Sequence, residues 1–491
     1  MPHSVGGVLA RAVTHALVGL EPRRVEVEAH VKDGLPAFVI VGLPDRACAE
    51  ARQRVKSGIT SAELEFPRGR VTVNLAPAGL RKEGSGYDLP IALAVLAASR
   101  QLPHDELDRH AAVGELALDG RLRRVVGVLA VAEGARRMGL ERVLCPSDSA
   151  AEAALAGVEP IPVRHLAEAV AYLRGELEPD PILPPRARDR PPEPDLADVR
   201  GQERARRALE IAAAGCHNLL LAGPPGTGKT MLARRLSGLL PPLDGPAALE
   251  VTRIHSVAGL LALDQPLVER PPFRAPHHSA STAAVIGGGP GIRPGEASLA
   301  HLGVLLLDEF AEFPRPTLEA LRQPLEDGVV CIARAAGRAL FPARFQLVAT
   351  MNLCPCGARG DPAASCSCSP QRLAAYRDKL SRALLDRFDL VVTVPRPRAA
   401  ELAAGPSEPS APVAERIVAA RARLGGSSLR RTADADELLS RAVDRLPLSG
   451  RGRARVARVA RTIAALAASE HVAGEHVAEA LAYRSPQELA A

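Results

Sequence analysis

The residues Gly223-Pro224-Pro225-Gly226-Thr227-Gly228-Lys229-Thr230 have the types and spacing of a phosphate-binding loop. Glycines let the backbone fold closely around a polyphosphate, and N–H groups at the start of a following helix point at its anionic oxygens. Lys229 offers a compact charge to the β- and γ-phosphates, and the Thr230 hydroxyl is placed to hold Mg²⁺. The flanks supply the required context: Asn218-Leu219-Leu220-Leu221-Ala222 is an apolar run of strand length, and Met231 to Leu236 continues in helical register. Lysine is scarce in a chain that otherwise uses arginine, with only Lys32, Lys56, Lys82 and Lys379 besides Lys229. The planar guanidinium fork is a poor substitute for a point charge at this position. A second catalytic signal is the apolar run Val304 to Leu307 ending in Asp308-Glu309. There Asp308 would hold the Mg²⁺ shell and Glu309 would polarise the water that attacks the γ-phosphate. A further buried strand, Phe345 to Met351, ends in Asn352, an amide that could orient the lytic water or sense the γ-phosphate.

Cys354-x-Cys356 and Cys366-x-Cys368 form the clustered thiol set. Four thiolates could close a tetrahedral Zn²⁺ site, with Gly357, Gly360, Asp361 and Pro362 letting the loop turn back; ordinary reduced thiols or a redox pair are the alternatives. Cys48, Cys145, Cys216 and Cys331 are scattered singly and read as small buried thiols. His277-His278 lies in an irregular stretch from Arg270 to Ser279. Adjacent side chains should diverge there, so the pair reads as part of a loop touching polyanion or a neighbouring subunit rather than as metal ligands.

Placing these groups requires about three domains in 491 residues. Residues 1–175 alternate strand and helix signals: Val25 to Glu28 and Arg70 to Asn74 have period two, Phe38 to Val41 reads as a buried strand, and Ala49 to Ile59 and Leu89 to Ala98 read as helices. A Pro- and charge-rich linker, 176–197, leads to an α/β nucleotide-binding core over 198–395. Within that core Glu319 to Glu326 reads as a helix. Val329 to Arg334 and Ala339 to Pro342 then read as a β-hairpin with Arg334 and Arg338 near its tip. A second linker over 396–412 precedes a helical region, 413–491, carrying an arginine ladder in which Arg451, Arg455 and Arg458 share a face that reads as solvated.

Hydrophobic residues make up 47% of the chain but aromatics only 2%, with no Trp, so base-stacking platforms are few. The charge of +6 is compatible with an anionic partner such as nucleic acid. Leu89 to Ala98 falls well short of the roughly 18 apolar residues that span a bilayer, and the N-terminus lacks a signal-peptide pattern. A soluble, cytoplasmic protein is expected.

In order, the P-loop, Leu-Leu-Asp-Glu, the hairpin, Asn352 and Leu384-Leu385-Asp386-Arg387-Phe388-Asp389 resemble AAA+ ATPases of the magnesium-chelatase-like and MCM-like branch. Lys82-Glu83-Gly84-Ser85-Gly86-Tyr87-Asp88 and Gly114 to Gly120 resemble the proteolytic (S5-type) domain of Lon. Gly86 stands where the Lon nucleophile would be, Ser85 is one place away, and Val126 to Val131 has no lysine where Lon has its base. That domain is therefore expected to be inactive as a protease. With Phe273 to His278, Arg293 to Glu296, Leu321 to Glu326 and Asn352 to Gly357, nearly the whole chain resembles the ComM/YifB family.

The resemblance implies an α/β fold: a Lon-protease-like domain, a P-loop AAA+ core and a C-terminal helical lid. It implies Arg387 as an arginine finger acting on the adjacent subunit, worth on the order of 10³ or more in rate, and Arg451 as the sensor-2 arginine. It also implies a hexameric ring that couples ATP hydrolysis to DNA translocation or branch migration in recombination or natural transformation. The rivals are a magnesium-chelatase-type motor subunit, a Lon-type protease and a protein-remodelling ATPase.

Overall fold

The computed structural model describes residues 8–182, 193–289, 292–334, 337–403, 405–426, 429–445 and 449–484. The N-terminal region is built on a seven-stranded sheet whose order is β3-β4-β2-β1-β5-β6-β7. Its strands are β1 (Val8–Val18), β2 (Glu21–Lys32), β3 (Ala37–Val41), β4 (Arg70–Ala76), β5 (His110–Ala112), β6 (Arg142–Pro146) and β7 (Glu159–Val163). On β2 and β4 every second residue is buried, Val25, Val27 and Ala29 on one and Val71, Val73 and Leu75 on the other, as one covered face demands. The helix Asp88–Ala98 is buried all round and fills that face. The expected buried strand Phe38 to Val41 is instead the sheet edge: its residues are half-covered and Val41 is exposed, because β4 is its only neighbour in the sheet. Among the scattered cysteines Cys48 and Cys145 are buried, whereas Cys216 is exposed and Cys331 half-exposed, so the buried-thiol reading fails for the last two.

The second region carries a five-stranded parallel sheet ordered β9-β10-β11-β8-β12. Its strands are β8 (Leu219–Ala222), β9 (Phe273–Arg274), β10 (Val304–Leu307), β11 (Gln346–Met351) and β12 (Leu390–Thr393). Residues of β8, β10 and β11 are buried throughout, as expected where both faces are covered. The stretch around Phe273, read as irregular, contains the edge strand β9, paired with β10 through Phe273 and Val304. The helix read over Glu319 to Glu326 is two, Arg315–Ala320 and Arg322–Asp327. The hairpin forms from Val329–Arg334 and Gly337–Pro342, which places Arg338 on a strand rather than in the turn. The turn itself and the Arg334 side chain lie outside the described residues, as do 183–192 of the first linker and 290–291 of the glycine run.

The helices Ser410–Gly426, Ala433–Arg445, Gly450–Leu466 and Gly474–Ala482 follow, and Val413, Ile417, Val456, Ile463 and Val477 share one apolar cluster with Ala208 and Ile211 of the helix Glu203–Gly215. The segment 396–412 is not featureless: it holds a helix, Ala399–Ala403. Ser410, where the next helix begins, is tied to the chain entering the core, its hydroxyl accepting the Leu196 N–H at 2.7 Å.

The N-terminal region grips the core through the helix Gly245–Ala258. Glu152, nearly fully buried, accepts from Ser256 Oγ at 2.6 Å, from the Leu129 N–H at 3.1 Å and from Arg124 at 3.2 Å. Arg253 pairs with Glu133 at 2.6 Å, and Arg124 also reaches the Leu261 carbonyl at 3.0 Å. Truncating a buried carboxylate with three donors strands all of them. Glu152→Ala is therefore expected to cost about 3 kcal/mol and Ser256→Ala about 1 kcal/mol. Calorimetric unfolding, with limited proteolysis to see whether residues 1–175 detach first, checks the order; equal, negligible effects would contradict it.

Candidate functional site

Parallel pairing fixes what converges. Ala222 lies opposite Met351, and Leu307 opposite Ala349, so β8, β10 and β11 end at nearly the same level and deliver Gly223, Asp308 and Asn352 to one edge of the sheet. The carboxyl edge of a parallel sheet is where such folds place ligands. Gly223 turns the chain where nothing larger fits: a Cβ there would sit 2.3 Å from the Val394 carbonyl oxygen. Gly228 has φ +87°, a left-handed conformation that starts the helix Lys229–Arg235.

Lys229 is almost fully buried, and its amine donates to the carbonyls of Gly223 at 2.8 Å and Pro224 at 2.7 Å and to Asn352 Oδ1 at 3.2 Å. Desolvation pulls its pKa from 10.5 down to about 8, against the opposing pull of Asp308. Thr230 Oγ1 donates to Asp308, 2.9 Å from Oδ1 and 3.1 Å from Oδ2. A hydroxyl paired with a carboxylate at the mouth of a phosphate loop is a donor set suited to Mg²⁺, as both groups offer hard oxygens. Buried Thr350 also donates to Asp308 and accepts the Glu309 N–H at 3.2 Å. The sequence reading passed over Thr350; a hydroxyl within the apolar run Leu347 to Met351, two residues before Asn352, was the available signal.

Glu309 has φ +55°, a strained setting for a residue with a Cβ, of the kind found at active sites. Its exposed carboxylate lies 3.0 Å from His278 Nδ1. The expectation that the two histidines diverge is wrong: their rings stack with centroids 4.1 Å apart, and the tie to Glu309 turns His278 toward the site. Thus Lys229, Thr230, Asp308, Glu309 and Asn352 come together within one chain.

Arg387 and Arg451 do not join them. Asn218 Nδ2 donates to the Arg387 carbonyl at 2.9 Å, which puts Arg387 at the amino end of β8, about 16 Å of extended chain from Gly223. There Arg387 is buried and ion-paired with Glu326, which also takes Arg451 at 3.2 Å. Nearby, Arg455 and Arg458 approach Asp389 at 3.6 and 3.3 Å. The solvated-face reading therefore fails for Arg455, which packs between strand end and helix with 13% of its side chain exposed. A cavity of about 630 Å³ is lined by Arg387, Arg455, Arg458, Arg421 and Arg344 together with Glu326. Its unpaired cationic atoms include Arg387 Nε and Arg455 Nη1.

Farther off, Ser85 Oγ donates to Glu115, and the Lys82 amine donates to the Pro77 carbonyl. A Cβ on Gly86 would meet Val113 at 3.4 Å. Cys354, Cys356, Cys366 and Cys368 stand together just beyond Asn352, where they could hold a metal.

Comparison with known proteins gives three successive matches, described as magnesium chelatase subunit ChlI over residues 195–402, subunit ChlI of Mg-chelatase over 27–149, and the ChlI C-terminal part over 414–484. Competence protein ComM of Haemophilus influenzae is 40% identical over 500 residues, covering 97% of each chain. YifB of Escherichia coli K12 is 43% identical over 495 residues, again 97% of each. The chain belongs to the ComM/YifB family. A Mycobacterium tuberculosis protein is 46% identical over 499 residues, 97% of this chain and 98% of its own. ComM/YifB chains are magnesium-chelatase-like AAA+ proteins, a family that points to an ATPase using ATP and Mg²⁺. No helix among the described residues is long and apolar enough to cross a membrane.

In this ComM/YifB chain the lowered Lys229 pKa sets a pH dependence. Phosphate oxygens favour the ammonium form, so binding ATP above pH 8 requires proton uptake. ATP affinity should hold below pH 7 and weaken by up to about tenfold per unit above pH 8. Calorimetric titrations in buffers of different ionisation enthalpy measure both effects; flat affinity to pH 9.5 would contradict them. Lys229→Ala should abolish binding.

Proposed function

We propose that this protein is a ring-forming AAA+ motor that couples ATP hydrolysis to movement along DNA. The single observation that carries the reading is the separation of two half-sites. A phosphate loop with Asp308, Glu309 and Asn352 lies at the carboxyl edge of the sheet, while Arg387 and Arg451 gather round Glu326 at the amino edge. One chain cannot fold the second onto the first, since its own β-strands hold them apart. A heterologous interface, repeated round a closed ring of six, brings one subunit's arginines to the next subunit's phosphate loop.

In that arrangement the loop amides and Lys229 bind and orient the triphosphate, while Thr230 and Asp308 hold the metal shell. Mg²⁺, when bound, neutralises charge developing on the β- and γ-oxygens. Glu309, released from His278, accepts a proton from the attacking water, and Asn352 fixes that water's position. Arg387 and Arg451 of one subunit offset the charge on the neighbour's γ-phosphate. The proposed organisation is residues 1–175 as a Lon-like domain without proteolytic chemistry, 198–395 as the motor core, and 413–491 as a lid, joined by linkers, in the cytoplasm. The pairing of Ser85 with Glu115 instead of an amine supports the loss of proteolysis.

DNA as the polymer is supported by the basic charge balance, by the hairpin Val329–Arg334/Gly337–Pro342 with Arg338 exposed on it, and by kinship with a protein named for competence. Phosphate contacts without base readout suit a motor that must move along any sequence.

Two measurements test this. Lys229→Ala and Arg387→Ala subunits should each be inactive alone, yet mixed in equal amounts should recover roughly a quarter of wild-type turnover, the share of interfaces with one intact half from each; no recovery would sink the trans arrangement. Turnover should rise with single-stranded or four-way-junction DNA but not with denatured protein, and the stimulation should fade with salt. A motor indifferent to DNA would end the translocation reading.

A further inference from the structure

Between Leu353 and Pro370 the chain runs through sixteen residues without helix or strand. Apart from its cysteines, its only apolar side chains are Ala358, Ala363 and Ala364 and the rings of Pro355 and Pro362, and most of the stretch is exposed. A loop of this length with no core of its own needs another tether.

Four thiols meet inside it. Cys354 Sγ lies 3.3 Å from Cys356 Sγ, Cys366 Sγ lies 3.7 Å from each of these, and all four sulfurs fall within 4.8 Å of one another. A tetrahedron with Zn–S bonds of about 2.3 Å has edges of about 3.8 Å. The two 3.7 Å separations match that figure, and all three separations are far from the roughly 2.05 Å of a disulfide; all four cysteines are free. A backbone N–H group is aimed at one of the sulfurs: Arg359 donates to Cys354 Sγ at 3.3 Å. Such donors orient and stabilise thiolates in metal knuckles. Gly357 and Gly360, both at φ +79°, supply the reversals that two tight C-x-C pairs require.

The loop's surroundings give the knuckle a purpose. A Cβ on Gly357 would stand 3.0 Å from Pro225 of the phosphate loop. Asp361 takes Arg396, just beyond β12, at 3.2 Å. At the far end Ser369 caps the helix Pro370–Asp378, and that helix returns Tyr376, whose hydroxyl donates to the Asn352 carbonyl at 3.1 Å. The loop therefore leaves the site at Asn352, touches the phosphate loop, and comes back to Asn352.

We propose that Cys354, Cys356, Cys366 and Cys368 bind one zinc ion in a closed, structural site, and that this knuckle forms the wall of the phosphate loop between Pro225 and Asn352. Four protein thiolates leave no open position for water, so the ion does no chemistry. Zinc binding stands independently of the ATPase reading; the wall rests on it.

The test uses the full-length chain. Elemental analysis of protein purified without added metal should find one zinc per chain. Replacement by Co²⁺ should give the intense visible absorption of tetrahedral cobalt thiolate. The double variant Cys366→Ser/Cys368→Ser should lose the zinc, and mant-ATP, a fluorescent ATP analogue, should bind it on the order of tenfold more weakly. Zinc-free wild type with reduced thiols, a mass lower by two hydrogens showing a disulfide, or zinc retained by the double variant would each overturn the metal site. Full mant-ATP affinity in a zinc-free variant would overturn the wall, whereas failure of mant-ATP to bind the zinc-loaded wild type would instead count against the ATPase reading. Should the variant misfold, the cobalt spectrum and zinc content of the wild type still decide the metal.

Discussion

One buried ammonium organises the ATPase end of this molecule. Lys229 exchanges water for three oxygens, two from the phosphate loop's own carbonyls and one from Asn352. A charge so buried is tolerated only when its donors are met. They are met because β8 and β11 run parallel in a register that ends both strands together. Slipping β11 by one residue would remove Asn352 from reach and turn Thr350 away from Asp308. The sheet's register, the loop's glycines and the depressed lysine pKa are thus one constraint seen at three scales. On the other side of β8, the register with β12 explains why Gly223 admits no side chain, since the chain leaving β12 passes it at Val394.

What the sequence made legible was chemistry carried by residue type within a short span. Gly223 to Thr230, Asp308 with Glu309, and Asn352 each follow an apolar strand, and each stands where that strand ends. What it concealed was pairing at long range. Nothing near Glu326 marks it as the shared partner of Arg387 and Arg451, which come from other elements. The strand β9 is two residues long and follows Pro271-Pro272, too little for periodicity to register; only its pairing with β10 makes it a strand. His278 gave no sign of reaching Glu309, because a bend in the chain brings it there. Arg455 had the spacing of a solvated ladder, and the strand end at Asp389 is what covers it.

The N-terminal region is fastened to the ATPase core by charged and polar groups, of which Glu152, Glu133 and Ser256 are buried and Arg124 and Arg253 half-buried. Glu152 is satisfied by donors from both regions, so the contact is specific in orientation as well as favourable. It is made through the helix Gly245–Ala258. The hairpin is braced from the same side: a Cβ on Gly19, in the turn between β1 and β2, would press on Ala339 at 2.7 Å. The N-terminal region and the hairpin therefore share a mechanical frame with the core.

Glu326 gives the amino edge of the sheet an internal counter-ion. One of the two charges carried by Arg387 and Arg451 is already offset before any neighbour arrives. In the proposed trans arrangement, docking a neighbour's triphosphate there would be an exchange of anions, in which phosphate displaces a carboxylate, and not the simple addition of charge to charge. The net electrostatic gain would be the difference between two sets of ion pairs, small for a weakly charged occupant and large for a fully ionised triphosphate. Under that proposal the interface would discriminate between nucleotide states by subtraction, tightening around a triphosphate and relaxing toward its own glutamate once the terminal phosphate has gone.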